Sequence, residues 1–286
     1  MEVMSYEDLI TQTSRLTTNL LFAFLDGIKK IDKIGPMINI QSGAIMPSEK
    51  ENNQPSCASC GFQIPKRACF SKQGKGPKGC PTLTQTDLLE NANTAYESPP
   101  VRQFAYQASV QEAQCYVNRD QTPYIMQPSK TRIVEVCEFA KKMNYKRLGL
   151  AFCLGLAKEA RVVETIFKEY GFDVVSACCK AGNTPKDFIG IEDENKVYIG
   201  SDEAMCNPVF QARVLAAEKV DFNVLLGLCV GHDTLFFQHS DIPTTVLAVK
   251  DRVTGHNPLA AVYQSDSYYR KVKYPKIASG MEIDKE

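Results

Sequence analysis

The second half of the chain alternates amphipathic helical stretches with short apolar runs. Apolar residues at helical spacing predict one helix over residues 133–143 and another over 160–170, where Gly171 suits the helix end. Four apolar runs between such helices are typical of strands: 147–153, 172–178, 222–229 and 244–249. Strands this apolar are usually covered on both faces. The pattern therefore predicts an α/β fold with a parallel, Rossmann-like sheet and flanking helices.

The first 56 residues have a different pattern, a predicted helical arm followed by a polar linker. Helical spacing of apolar residues predicts a helix over 6–31. This arm could dock its apolar face on a partner, or it could precede a true start at Met37 or Met46. We expect three parts in all: the arm and linker at 1–56, a four-cysteine metal module with a following helical segment at 57–128, and the α/β domain at 129–286.

Composition and charge narrow the class of protein. The chain has 11 cysteines but only three histidines, and its 33 basic residues equal its 33 acidic residues. A balanced charge gives no global field for nucleic acid. Acidic residues occupy the N-terminus where a secretory signal would be basic, and the apolar run 19–25 is too short to span a membrane. We expect a cytoplasmic protein, in which clustered cysteines favour metal binding or catalysis over disulfides.

The first cysteine group lies in a segment rich in glycine, lysine and proline. A CxxC pair, at which two thiolates can bind one ion, is followed by two further cysteines within 20 residues: Cys57, Cys60, Cys69 and Cys80. Four thiolates satisfy either a tetrahedral zinc ion or an iron–sulfur cluster. The glycine after Cys60 is typical of a zinc knuckle, whereas the proline after Cys80 is typical of ferredoxin motifs. Too few apolar side chains lie here to fold without metal.

The second cysteine group follows the predicted strands. In an open α/β sheet the carboxyl ends of the strands form the ligand crevice, and four cysteines fall there or at a helix start: Cys153, Cys179, Cys206 and Cys229. Asn207 and Pro208 are good first residues of a helix, whose dipole favours the thiolate of the preceding cysteine. These residues are predicted metal ligands. Core packing at the strand ends is the alternative interpretation.

Glycines and histidines near these cysteines are candidate ligand-binding residues. Gly155 and Gly231 follow strand cysteines closely, as a tight turn or close ligand approach requires. His232 lies three residues after Cys229 and could act as a ligand or proton donor. His256 lies in a polar stretch after the last predicted strand, where a role in anchoring the loop is an equal alternative. The catalytic residues, if the protein is an enzyme, are not identified by any of these features.

Several of these stretches together resemble a family. They are CASC at 57–60, GCPT at 79–82, AFCLGLAKEA at 151–160, VVSACCKAG at 174–182, MCNP at 205–208, GLCVGHD at 227–233 and VKDRVTGHNPLAAVY at 249–263. The pattern resembles the uncharacterised, cysteine-rich "metal-binding protein" family of bacteria and archaea, a domain of unknown function. The resemblance implies metal binding through the cysteines and implies no reaction or substrate. Residues 1–46 look like an addition to the family pattern.

Three functions are consistent with these features. The first is an iron–sulfur protein, with a 4Fe–4S cluster preferred, that acts in redox or electron-transfer chemistry at the crevice with a small molecule or a redox partner protein. The second is a zinc-stabilised α/β protein that binds a small molecule without redox chemistry. The third is a metal-free thiol enzyme with Cys206 or Cys229 as nucleophile. The sequence contains neither a dinucleotide-binding glycine motif nor a Walker motif.

Overall fold

A computed structural model describes residues 53–275 of the chain. Contacts divide the chain into two compact units, with the boundary between Thr86 and Asp87. The predicted helix over 6–31 lies outside the described residues. Each unit is described by itself below.

The first unit, described from residue 53 to 86, consists of tight turns. It contains 3₁₀ turns at Cys57–Ser59 and Ile64–Lys66 and a short helix, α1 (Pro81–Thr84). Arg67 and Lys75 form an isolated parallel bridge. Among the described residues of this unit, Gly79 alone is buried. An apolar core therefore does not hold this part of the chain together.

The second unit contains all the strands of the described chain and most of its helices. In chain order the helices are α2 (Thr86–Thr94), which begins at the boundary, α3 (Pro99–Gln114), α4 (Arg132–Lys142), α5 (Ala157–Glu169), α6 (Pro208–Ala217), α7 (His232–Gln238), α8 (Leu259–Tyr263) and α9 (Arg270–Lys273). The strands are β1 (Arg147–Phe152), β2 (Asp173–Cys178), β3 (Phe222–Leu228) and β4 (Thr244–Val249). The four predicted strands are thus found within a residue at each end.

The strands form one parallel sheet in the order β2-β1-β3-β4. Register places Arg147 beside Asp173 and Leu148 beside Phe222. Helices α5, α6 and α7 make the three connections between successive strands. The predicted α/β fold with a parallel sheet and flanking helices is confirmed.

Side chains that alternate along the strands build a separate core on each face. On one face, α4 and α5 pack against the sheet through residues that include Cys137 and Phe167, both fully buried. On the other face, α6 and α7 pack against it through Leu215 and Phe236, also fully buried. Successive strand residues point to opposite faces, so Leu150 joins the first core and Ala151 the second. Cys137 is therefore a core residue.

Helix α3 packs in the second unit, against α4. The rings of Phe104 and Phe139 meet edge to face, with centroids 5.1 Å apart. The predicted division grouped this helical segment with the cysteine module, at 57–128, whereas in the structure its contacts cluster with the α/β unit. Between residues 53 and 275, no helix is long and apolar enough to cross a membrane.

Candidate functional site

The four cysteines of the first unit line one small cavity. Cys57, Cys60, Cys69 and Cys80 all border a space of about 50 Å³, although they come from three separate parts of the segment. Cys57 and Cys69 are solvent-exposed, and Cys60 and Cys80 are half-buried. The structure therefore brings the four cysteines of the first predicted group to one cavity.

Hydrogen bonds to main-chain carbonyls shape this cavity. The Cys60 N–H donates to the Cys57 carbonyl at 3.3 Å, which closes the CxxC turn. Arg67 then fixes the following loop, because its guanidinium donates to the carbonyls of Phe62 at 2.7 Å and Cys60 at 3.1 Å. The Ala68 N–H donates to the Lys75 carbonyl at 2.9 Å, directly before Cys69. The backbone directly before the third cysteine is thereby fixed.

The fourth cysteine requires a glycine beside it. A Cβ added to Gly76 would lie 2.6 Å from the Cys80 sulfur, closer than any unstrained contact. Cys80 precedes α1, and Pro81 is the first helical residue. Proline is favoured at that position because its fixed φ suits the helix and it has no N–H to leave unpaired. Gly76 and Pro81 together place the Cys80 sulfur at the cavity wall.

The second cysteine group lies at the carboxyl edge of the sheet in the second unit. The chain leaves β1 toward β2 on one side, while β3 lies on the other side of β1, so the strand order reverses between β1 and β3. Ligands of open α/β sheets bind at such a point. Cys153 and Cys229 directly follow these two strands. Two of the predicted site residues therefore flank the reversal.

Cys179 and Cys206 are in direct contact. Their sulfur atoms lie 3.7 Å apart, a hydrogen-bonding distance for thiols, and either thiol can donate. The Leu154 N–H also donates to the Cys179 sulfur at 3.3 Å. Cys179 is only 2% exposed, whereas Cys206 is half-buried. The structure thus brings two predicted residues together, one buried and one accessible.

A chain of hydrogen bonds gives these thiols different acidities. The hydrogen bond from Cys179 lowers the pKa of Cys206 to about 7, against the effect of burial, with help from the Lys180 charge. At Cys179, the hydrogen bond from Cys153 lowers the pKa, but the one to Cys206 and burial outweigh it and raise the pKa to about 11. The hydrogen bond to Cys179 and burial raise the pKa of Cys153 to about 12. Negative charge is therefore most stable on the Cys206 sulfur.

Three basic side chains lie near the thiols: Lys250, Arg252 and Lys180, whose charge acts on Cys206. The Arg252 guanidinium donates to the Cys229 sulfur at 3.2 Å. That hydrogen bond and the Cys229 charge raise the pKa of Arg252, and the charges of Cys153 and Cys206 act in the same direction. A Cβ built on Gly155 would lie 3.7 Å from the Lys250 Nζ and 3.9 Å from the Cys153 sulfur. The cations therefore stand close enough to stabilise thiolates.

The two candidate histidines differ in their surroundings. His232 begins α7, and burial lowers its pKa, with the Lys180 charge adding to the effect and the Cys153 charge opposing it. It therefore borders the thiol group as a neutral imidazole. His256 instead closes the loop after β4: its ring Nδ1 accepts from the Asp251 backbone N–H at 3.1 Å, and its backbone N–H donates to the Asp251 backbone carbonyl at 2.9 Å. Gly231 has a φ of +86°, which suits glycine at the turn into α7.

Residues 53–275 contain no three His, Cys, Asp or Glu side chains that are already arranged to hold a metal ion. The predicted ligand roles therefore stay predictions. Arg252, Lys180 and Lys250 were not predicted as site residues. Lys180 follows Cys179 directly, and Lys250 and Arg252 follow β4, so their positions at strand ends were the available signal.

Comparisons with known proteins bear on the family. An uncharacterised protein of Methanocaldococcus jannaschii is 46% identical over 142 residues, which is 50% of this chain and 70% of that protein. Two solved structures match at a TM-score of 0.25, too low to support any inference. They are the anabolic ornithine carbamoyltransferase of Campylobacter jejuni, at 14% identity over 52% of this chain and 43% of that one, and a mutant N-acetyl-L-ornithine transcarbamylase, at 15% identity over 50% and 44%.

The family assignment rests on a longer match. Residues 80–247, more than half of the chain, match the family described as "Protein of unknown function (DUF1847)". The expectation of a family of unknown function is confirmed, and its metal-binding character stays a prediction. The chain belongs to this family of unknown function.

Proposed function

We propose that this chain is a cysteine-ligated metal-binding protein, with one centre in the four-cysteine cavity and a second at the strand-end thiols. The observation that carries the proposal is the convergence of Cys57, Cys60, Cys69 and Cys80 on one cavity of about 50 Å³. Their unit has a single buried residue among those described, Gly79. A structure without an apolar core needs another source of order, and metal ligation is the usual one in such small modules.

Energetics favour this assignment for the first centre. Ordering the backbone costs about 1–2 kcal/mol per residue, and exposed side chains return little of it. A structural zinc ion contributes on the order of 10 kcal/mol. The sulfurs at Cys57 and Cys69 are exposed, so rotation about a single side-chain torsion can bring them onto an ion without disturbing packed neighbours.

At the second centre, both distance and charge suit a thiolate-bound ion. Sulfurs around one tetrahedral ion with bonds of about 2.3 Å lie roughly 3.8 Å apart, and Cys179 and Cys206 lie 3.7 Å apart. This separation, which is also that of the thiol hydrogen bond, fits two ligands of a single ion such as zinc. Four thiolates around a dication carry a net negative charge, which Arg252 and the neighbouring lysines would offset.

The position of the second centre suggests what it acts on. In a Rossmann-like sheet, the point where the strand order reverses is where small molecules bind. We propose that a small-molecule ligand enters between Cys153 and Cys229 and that His232, held neutral, borders it. Because four thiolates would complete a tetrahedral zinc site, the small molecule would bind beside the ion and not on it.

The test is anaerobic metal analysis of the purified full chain. We expect colourless protein with two equivalents of zinc by inductively coupled plasma mass spectrometry. Brown protein with iron and acid-labile sulfide would show that the metal is an iron–sulfur cluster and not zinc, with the same cysteines as ligands. Protein without a stoichiometric metal, even after reconstitution under reducing conditions, would overturn the proposal.

A second candidate function is thiol–disulfide chemistry in the metal-free protein. Cys206 is accessible and carries the most stable thiolate of the group, while Cys179 is buried 3.7 Å away. An accessible nucleophile beside a buried resolving thiol is the arrangement of dithiol oxidoreductases. The Cys206 thiolate would attack a small-molecule disulfide and expel one thiolate. Cys179, losing its proton to solvent, would then attack the Cys206 sulfur and expel the second.

Glutathione disulfide tests this alternative. We expect the metal-free protein to form a Cys179–Cys206 disulfide, detected by peptide mapping, with release of two equivalents of glutathione. The Cys179→Ser variant should stop at a mixed disulfide on Cys206. A stable mixed disulfide in the unsubstituted protein would exclude the resolving role of Cys179.

A further inference from the structure

A second cavity lies in the α/β unit, at the opposite end of the sheet from the thiols. It measures about 430 Å³, within the range of small-molecule sites. Its lining includes Phe222, the first residue of β3, and Thr244 and Thr245, the first two residues of β4. The thiol group follows the carboxyl ends of the strands, so the two sites are separate.

The floor of this cavity is aromatic. Phe104 of α3 and Phe139 of α4 meet edge to face at 5.1 Å, and Phe139 and Phe222 are 5.8 Å apart. Phe222 is only 3% exposed, whereas Phe104 and Phe139 remain half-exposed. Two rings that face open space beside a buried third ring offer a surface for an apolar or aromatic group.

Two side chains of opposite charge, one turn apart on α4, lie at the opening of the cavity. The Arg132 Nη1 lies 3.7 Å from the Glu135 Oε2, too far for a direct hydrogen bond. Thr245 and Val246 hold the guanidinium in place: Arg132 Nη2 donates to the Thr245 hydroxyl at 2.8 Å, and Nε donates to the Val246 carbonyl at 3.4 Å. The Arg132 guanidinium is thus held in one orientation beside the Glu135 carboxylate and has further N–H donors for a ligand.

Below this opening, the cavity wall is polar, but its polar groups already have hydrogen-bond partners. Gln111 is 6% exposed, and its Nε2 donates to the Glu138 carboxylate at 2.9 Å. The buried Cys115 thiol donates to the Gln111 carbonyl at 3.1 Å. These groups have their hydrogen bonds within the protein. Of the charged side chains that line the cavity, Glu112, Arg132 and Glu135, the last two lie side by side on α4.

We propose that this cavity binds an α-amino acid with a large apolar side chain. The ligand carboxylate would pair with Arg132, its ammonium with Glu135, and its side chain would rest on the rings of Phe104 and Phe139. A zwitterion matches two opposite charges that are adjacent but not hydrogen-bonded to each other. A ligand with one charge would pair with only one of the two groups.

Isothermal titration calorimetry of the full chain tests the ligand class with L-phenylalanine and three analogues. We expect L-phenylalanine to bind. Phenethylamine lacks the carboxylate and 3-phenylpropionate lacks the ammonium, so each should bind at least tenfold more weakly. L-Serine keeps both charges but lacks the apolar group and should show no binding. Failure of L-phenylalanine to bind, or equal affinity for either single-charge analogue, would overturn the proposal.

Two variants locate the binding. Ala108→Phe adds a ring at the cavity lining on α3 and should abolish binding, whereas Gln114→Phe adds the same ring elsewhere on α3 and should leave it unchanged. Glu135→Gln keeps the shape and removes the charge. It should weaken the binding of L-phenylalanine at least fivefold and should not weaken that of 3-phenylpropionate, whose carboxylate no longer lies beside the Glu135 charge. Full binding by Ala108→Phe would place the ligand outside this cavity.

Discussion

The two described units are stabilised in different ways. The unit at 53–86 has one buried residue, Gly79, and four cysteines around a small cavity. The unit at 87–275 has a core on each face of its sheet, with Cys137 inside one core and the predicted ligand cysteines at the carboxyl ends of the strands. Where packing supplies the stability, thiols are left available for chemistry. Where apolar packing is missing, we propose that cysteine stabilises the segment as a metal ligand.

The largest expected effect is that of metal removal, which should destabilise the first unit and not the second. Strong chelation removes a contribution on the order of 10 kcal/mol from the first unit and none of the apolar packing from the second. Trypsin should then cut within 66–78, after residues such as Lys66, Lys72 and Lys75, while the α/β unit stays intact. Limited proteolysis followed by mass spectrometry measures this. Persistent protection of 57–81 in metal-free protein would show that metal does not order the segment.

Truncation of a core side chain should act only on the second unit. Phe167 is fully buried, so Phe167→Ala should lower the free energy of unfolding by about 3–5 kcal/mol. Phe70 in the first unit is 67% exposed, and Phe70→Ala should have an effect within about 0.5 kcal/mol. Urea unfolding followed by circular dichroism compares the two. Equal losses would contradict the view that only one unit has a packed core.

The acidities of the strand-end thiols offer a finer test in metal-free protein. The thiolate of Cys206 is half populated near pH 7, so its alkylation by iodoacetamide should rise through pH 7 and then level off. Cys179 and Cys153, with pKa values of about 11 and 12, should react slowly over that range. Lys180→Gln should shift the Cys206 profile to higher pH. Similar profiles for all three thiols would contradict the hydrogen-bonded chain.

The smallest expected effect is that of removing the N-terminal arm. A chain beginning at Met46 should keep its solubility and its metal content, because the four cysteines and the α/β core all lie beyond that residue. Metal analysis and gel filtration of the shortened chain check this. Loss of metal or aggregation would show that residues 1–45 contribute to the fold.

The sequence predicted the α/β fold because strand runs such as 222–229 are apolar apart from Asn223, and buried strands have few other compositions. The strand-end positions of Cys153 and Cys229 followed from the same pattern. The contact from Arg252 to Cys229 could not be predicted, because it joins separate loops through a long side chain whose direction depends on packing. The cavity under Arg132 was missed for a similar reason: its walls come from two helices and two strands far apart in sequence.

The central claim is that the cysteines form two separate metal centres, and native mass spectrometry of the full chain tests it most directly. The chain should carry two metal ions. The double variants Cys57→Ser/Cys80→Ser and Cys206→Ser/Cys229→Ser should each carry one. Gly76→Ala, which crowds the Cys80 sulfur, should lose the same ion as the first variant. If the Cys206→Ser/Cys229→Ser variant keeps both metal ions, the strand-end thiols are core residues and not metal ligands. If both double variants keep both ions, the account is contradicted.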